Sequence, residues 1–224
     1  MNSLYFEQLG DQFDQFISDY DTEQRVKWIV NELKNLDPFQ STEILEIGSG
    51  TGRITRSLLS QNWKVKVSDI SLKLVKSLVQ DLKVDGEVLD VSSLQLDTDS
   101  VALIVSSECI EHSNPRIALR EIVRVLRPGG YAIITTPNLT WYPLVWVTQK
   151  VGLRKFKGPE HFLSTRSVRT IVRSSGGRMV VRSGLHLFPW QIPGAKGILP
   201  RIDKYGKFLF PLMINQCIVI QKNG

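Results

Sequence analysis

Short apolar runs alternate with stretches of helical spacing along most of the chain. Five runs rich in β-branched or aliphatic residues stand out: Ile44 to Ile47, Val65 to Val67, Glu87 to Leu89, Val101 to Val105 and Tyr131 to Thr135. Segments of helical periodicity separate them, which predicts βαβ units and a mainly parallel sheet. The clearest helix is Pro115 to Leu126, where Leu119, Ile122, Val123 and Leu126 share a face, Asn114 offers a cap and Pro115 suits the first turn. Arg127, Pro128, Gly129 and Gly130 then stop it. Ser71 heads a helix from Leu72 to Gln80 that should bury Leu72, Val75 and Val79. Ser164 heads another, Thr165 to Ser175, presenting Val168, Ile171 and Val172 before Gly176 and Gly177. Met179 to Val181 and Gln216 to Ile220 bring the expected strands to seven.

The flanks read differently. Phe6, Leu9, Phe13, Phe16 and Ile17 recur at helical spacing, and a second helix is expected from Thr22 to Leu36. With no repeat or low-complexity linker, the chain is expected to be one domain: an N-terminal helical flap (1–40), a core (41–138) and a substrate-side elaboration carrying the last two strands (139–224). Trp141 to Lys157 mixes Trp141, Tyr142, Trp146 and Val147 with Lys150, Arg154, Lys155 and Lys157. It suits a lid for a hydrophobic acceptor, a helix lying against anionic lipid, or a packed connector with a solvated basic end. Leu185 to Pro211, with Phe188, Trp190 and Phe208, suits a pocket wall, and its prolines argue against a regular helix.

Bulk composition narrows the classes. The 224 residues are 42% hydrophobic and 22% charged, as in ordinary globular proteins. Acidic Glu7, Asp11 and Asp14 speak against a secretory signal, and the longest apolar runs fall far short of the roughly 20 residues of a membrane span. A cytoplasmic protein is expected, with Cys109 and Cys217 as packed thiols. The net charge of +6 tilts towards anionic partners.

Chemistry concentrates where the first strand runs into Gly48-Ser49-Gly50-Thr51-Gly52. Glycines there allow a tight turn and close approach of backbone to a ligand, and the following helix start presents amides. A dinucleotide fingerprint beginning at Gly48 would place glycine or alanine where Arg53 stands, which leaves a nicotinamide oxidoreductase as a minor alternative. Glu46, just before the turn, suits a ligand bearing an ammonium group and would repel a pyrophosphate. Asp69 ends the second strand 21 positions after Gly48, where a carboxylate can accept from ribose hydroxyls, and Ile70 follows it. Asp90, after the third strand, can accept from an adenine amine, with the Val91 amide beside the ring.

Those residues carry a resemblance over Glu43 to Asn138. The chain resembles the class I S-adenosylmethionine-dependent methyltransferases, in particular the small-molecule group that includes the ubiquinone-biosynthesis O-methyltransferases. The matching stretches are Leu45-Glu46-Ile47-Gly48-Ser49-Gly50-Thr51-Gly52, Asp69, Asp90, Ser107-Glu108-Cys109-Ile110-Glu111-His112 and Leu126-Arg127-Pro128-Gly129-Gly130. The resemblance implies a Rossmann-like α/β fold: seven strands, mostly parallel, helices on both faces, the last strand antiparallel. It also implies S-adenosyl-L-methionine as cofactor and S-adenosyl-L-homocysteine as product. Glu46 would lie near the cofactor's amino group, Gly48 and Gly50 against its methionine part with Glu108 beside it, Asp69 on ribose and Asp90 on adenine. Glu111 and His112 would shape the loop at the mouth.

Methyl transfer from a sulfonium chiefly requires alignment and exclusion of water; a hydroxyl acceptor also needs a base. His161, between a Gly-Pro turn and a helix, is the expected base or acceptor contact, and His186, among Leu185, Leu187 and Phe188, an expected packing residue. No histidine spacing suits a metal. The expected function is methyl transfer to a small-molecule or lipid-like acceptor, hydrophobic or anionic, with oxygen slightly preferred and a peripheral membrane contact open. A nucleic-acid methyltransferase is the alternative its charge suggests, although Ser106-Ser107-Glu108-Cys109 lacks the Asn/Asp-Pro-Pro-aromatic motif of many base-amino methylases. A non-catalytic binding module is the other.

Overall fold

The computed structural model describes residues 7, 15, 18–36, 42–154, 156, 158 and 160–224. The expected N-terminal helix through Phe6, Leu9, Phe13, Phe16 and Ile17 lies outside them, as do Lys155, Lys157 and Pro159. Seven strands form one sheet: β1 (Ile44–Ile47), β2 (Val65–Asp69), β3 (Gly86–Val88), β4 (Val101–Ser107), β5 (Leu126–Pro137), β6 (Gly177–Leu185) and β7 (Asn215–Lys222). Their spatial order is β3-β2-β1-β4-β5-β7-β6. β7 runs antiparallel to both β5 and β6, and the pairings among β1 to β5 are parallel. The expected fold, last strand included, is the observed one.

Helices cover both faces. On one, α1 (Asp19–Asn35), α2 (Arg53–Leu59) and α3 (Leu72–Leu82) bury Ile29, Leu33, Leu58 and Leu78 against Ile44, Val67, Val105 and Val219. On the other, α4 (Pro115–Val125) and α6 (Thr165–Ser174) bury Leu119, Ile122, Ile171 and Val172 against Leu45, Ile104, Ile134 and Ile218. Side chains alternate across each strand, so Ile44 and Leu45 of β1 enter different cores. The caps sit where the sequence places them: Asn114 Oδ1 accepts from the Arg116 and Ile117 amides, Ser71 from Leu74 and Ser164 from Ser167.

Three local expectations are corrected. α3 buries Leu74, Val75 and Leu78, whereas Leu72 is 47% exposed. Leu78 fills the space above Gly52, where a Cβ would stand 2.4 Å from its Cδ2, and this contact turns the Leu74 to Leu78 stripe inward. Arg127 to Gly130 do stop the helix, but β5 starts at Leu126 and not at Tyr131, so they form an excursion within that strand: Leu126 already pairs with Val101, and Tyr131 resumes opposite Leu103. In the proline-rich stretch, α7 (Ala195–Asp203) forms with Pro200 inside it, followed by the short α8 (Gly206–Leu209). Proline forfeits one backbone bond, but buried Ala195 and Leu199 anchor the helix, and Asp203 accepts from the His186 amide at 2.8 Å. Among the described residues, no helix is long and apolar enough to cross a membrane.

Candidate active site

Strand order reverses between β1 and β4, and in such sheets ligands bind outside the carboxyl ends at that switch point. Parallel register sets Ile47 beside Ser106, so the turn after β1 and the loop after β4 leave the sheet side by side. Gly48 follows with φ +76°, and a Cβ there would stand 2.4 Å from the Cys109 sulfur. Glycine is therefore required at Gly48 by the protein's own packing. Gly50, at φ +54°, would have no atom of the described residues within 4 Å of a Cβ, so among them open space lies in front of it. Gly52 caps α2 in a left-handed conformation. Ser49 ties the turn down, its hydroxyl reaching the Glu46 and Ser68 carbonyls at 3.3 and 3.1 Å.

That open space is a cavity of about 740 Å³, within the usual size of small-molecule sites. Glu46, Gly48, Ser49, Gly50 and Glu108 all line it. Glu46 is 2% exposed and accepts a hydrogen bond from Thr55 at 2.7 Å. Burial, against that hydrogen bond, pushes its carboxyl up to about 7. Glu108 follows β4 at φ +51°, a conformation costly for a residue with a side chain. Its Oε1 is buried with no hydrogen-bond partner among the described residues, and burial followed by the nearby Glu111 pushes it well above the carboxylate range. Glu111, 1% exposed, accepts from the Thr136 hydroxyl at 3.1 Å and is lifted by burial to about 8. A wall of buried, under-compensated carboxyls beside an open glycine turn fits a cationic ligand, which would return them to their charged forms.

Asp69 stands next to the turn outside the lining, receiving the Gly50 amide at 2.9 Å and the Ser71 amide at 3.0 Å. Burial raises its carboxyl, opposed by these amides. Ile70, Asp90 and Val91 follow β2 and β3 on the same carboxyl rim, outside the lining. Asp90 is exposed and accepts from the Ser92 amide at 2.7 Å, while Val91 is buried. The carboxyls of Glu46, Asp69 and Asp90 thus occupy one edge of the sheet, but only Glu46 faces the cavity.

His161 is exposed, and its ring is not in the lining; its amide donates to the Glu111 carbonyl at 2.8 Å, and its neighbours Glu160 and Phe162 face the cavity instead. His112 does line it, with its ring 5.3 Å from Phe156. His186 is fully buried, as a packing residue should be, between Tyr20 and Trp190. Among the described residues no cluster of His, Cys, Asp and Glu suits a metal ion.

The sequence reading missed the opposite wall. Asp21, Thr22 and Arg25 of α1 line the cavity with Asn215 of β7. Arg25 donates to Asp21 at 3.0 Å, to the Ser107 hydroxyl at 2.7 Å and to Thr22 at 3.2 Å. Burial works against its charge, yet Asp21, Glu108 and Glu111 outweigh that and raise it further. The available signal was periodicity: Thr22 and Arg25 continue the buried stripe of Val26, Ile29 and Leu33 with polar residues.

A family model described as a methyltransferase domain matches residues 45–134. An uncharacterized methyltransferase of Schizosaccharomyces pombe is 29% identical over 130 residues, 54% of this chain and 51% of that protein, so the chain spans about half of its length. A ubiquinone biosynthesis O-methyltransferase of Xanthomonas axonopodis is 26% identical over 163 residues, 66% of this chain and 67% of its own. The crystal structure of an S-adenosylmethionine-dependent methyltransferase of Thermotoga maritima superposes with a TM-score of 0.65 over the full length of both chains at 15% identity, a likeness of fold.

Proposed function

We propose that the chain is a class I S-adenosylmethionine-dependent methyltransferase, as its methyltransferase domain supports, and that it methylates a small-molecule or lipid-like acceptor. S-Adenosylmethionine is the cofactor of this family, and when bound it supplies an electrophilic methyl group on a sulfonium. Oxygen is the acceptor atom that the similarity to the ubiquinone biosynthesis enzyme supports. The observation that carries the reading is Glu46: a carboxyl only 2% exposed, lifted to about 7, beside the open Gly50 in a cavity of about 740 Å³.

In this reading Glu46 holds the cofactor's ammonium, Gly48, Ser49, Gly50 and Gly52 shape the turn that takes its methionine part, and Glu108 lies beside that part. Asp69 and Ile70 serve the ribose, Asp90 and Val91 the adenine. Asp69 also orients the Gly50 amide, and Arg25 fixes Ser107 beside Glu108. A proton leaving a hydroxyl acceptor passes to Glu111, which faces the cavity, in place of the exposed His161. α1 and the loop bearing Trp190 exclude water from the reacting atoms.

Calorimetric titration with S-adenosylhomocysteine tests the cofactor site, and absence of binding to folded protein would overturn it. Incubation with methyl-labelled cofactor and a metabolite and lipid extract then identifies the acceptor. Label appearing only in nucleic acid would replace the small-molecule reading with the polynucleotide one.

A further inference from the structure

Sixteen large apolar side chains are exposed among the described residues, and twelve of them fall in just two segments, 139–153 and 192–212. The first contains α5 (Tyr142–Lys150), a nine-residue helix with no buried residue. A helix so short gains too little from its own backbone bonds to be stable in water without a surface to pack on. The second contains α7 and α8, with Phe208 82% exposed.

The two segments are spliced together. Trp141 donates its indole N–H to the Leu212 carbonyl at 2.8 Å, the Thr140 hydroxyl donates to the Pro211 carbonyl at 3.0 Å, and Asn138 Nδ2 reaches the Phe210 and Pro211 carbonyls. The first also borders the site: Trp141, Leu144, Val145 and Thr148 line the cavity.

Charge in these segments has one sign. Lys150, Lys196, Arg201, Lys204 and Lys207 are exposed, and the single acid, Asp203, is turned inward onto the His186 amide. Lys150 lies 5.8 Å from the Trp146 ring, an arrangement of aromatic body and cationic head that suits the boundary between lipid and water. A soluble protein partner would meet this apolar area with no acidic residue to set its register, whereas an anionic bilayer matches both the apolar side chains and the uniform positive charge.

We propose that the 139–153 and 192–212 segments form one docking face for an anionic lipid bilayer, and that the pocket bordered by α5 takes its acceptor from that interface. The second half of this proposal rests on the methyltransferase reading; the first does not.

Vesicle flotation decides it, using the full chain with phosphatidylcholine–phosphatidylglycerol vesicles against phosphatidylcholine alone. Trp146 and Phe208 are exposed and lie outside the cavity lining, so Trp146→Glu and Phe208→Glu leave the site intact. The protein should float with the anionic vesicles, and each variant should partition about tenfold or more weakly. S-Adenosylhomocysteine titration of the same preparations separates the readings, since both variants should bind it like the parent protein. Failure of the parent protein to float overturns the docking face while leaving the cofactor site standing. Flotation that high salt abolishes but Phe208→Glu does not would reduce it to nonspecific adsorption and also overturn it. Self-association lost in Phe208→Glu, without flotation, would make the face a contact between copies instead.

Discussion

The Asp21 carboxylate accepts a hydrogen bond from the Asn215 side chain at 2.8 Å, joining residues 194 positions apart in one buried contact. The same oxygen lies 3.1 Å from His186 Nε2, and the other accepts from Arg25. One carboxylate therefore fastens α1 to β7 and to the loop after β6, closing the wall of the cavity opposite the glycine turn.

Replacing Asp21 with Asn keeps the shape but takes the ion-pair partner from the buried Arg25. Urea denaturation at neutral pH should show a loss of about 3–5 kcal/mol. Burial opposes the Asp21 charge, but Arg25 and His186 together hold its carboxyl below the usual 3.8. The stability it contributes is thus present above that pH and is lost as pH falls through its lower native value, so the variant should have a flatter acid limb. Unchanged stability in Asp21→Asn would mean that this network does not bind the wall.

Glu46 should show the opposite sign. Its carboxyl is raised from the usual 4.5 to about 7, so the native state holds a proton there that the unfolded chain has released. Between those values stability falls as pH rises, by about 3 kcal/mol at most. Glu46→Gln removes that fall: at pH 8 the ligand-free variant should be more stable by about 1–3 kcal/mol on urea denaturation. It should bind S-adenosylhomocysteine at least about tenfold more weakly, having lost the charge that meets an ammonium. In the parent protein, calorimetry should find weaker binding at pH 6 than at pH 8, because protonated Glu46 attracts the ammonium less. A variant that gains no stability, or binds as before, would remove Glu46 from the site.

Gly48 and Gly50 should fail for different reasons. Gly48→Ala drives a methyl group onto both the Cys109 Sγ and Cβ in a left-handed conformation, and thermal unfolding should show a loss of about 2–4 kcal/mol, partly restored by adding Cys109→Gly, which removes both atoms. Gly50→Ala meets no atom of the described residues and should cost only about 1 kcal/mol, yet its methyl group enters the cavity and should abolish cofactor binding. Tight binding by Gly50→Ala would show that the open space serves another ligand.

The proton acceptor can be assigned by comparing two variants once the labelled acceptor is known. Glu111→Gln should lower turnover by about 10²–10⁴ and remove a rise in rate centred near pH 8. His161→Ala, altering an exposed ring outside the cavity lining, should leave turnover nearly unchanged. The reverse pattern would restore the assignment to His161.

Local pattern was sufficient for the sheet and its helices. β1 occupies Ile44–Ile47 as its apolar run foretells, and Asn114, Ser71 and Ser164 cap the helices they precede, because strand alternation and capping depend on residues a few positions apart. The glycine turn and Glu46 were legible for the same reason, standing in one contiguous segment at a strand end, whereas Glu108 was reached only through the family resemblance. What the chain could not disclose is which distant groups meet. Asp21, Arg25, His186 and Asn215 come from elements up to 194 residues apart, and each alone is an ordinary polar residue on a helix, loop or strand. Their meaning depends on desolvation, which exists only once the sheet has closed and α1 has packed across it. The same holds for His161 and Glu111: whether a side chain faces the cavity or the solvent is decided by tertiary packing, not by neighbours in sequence.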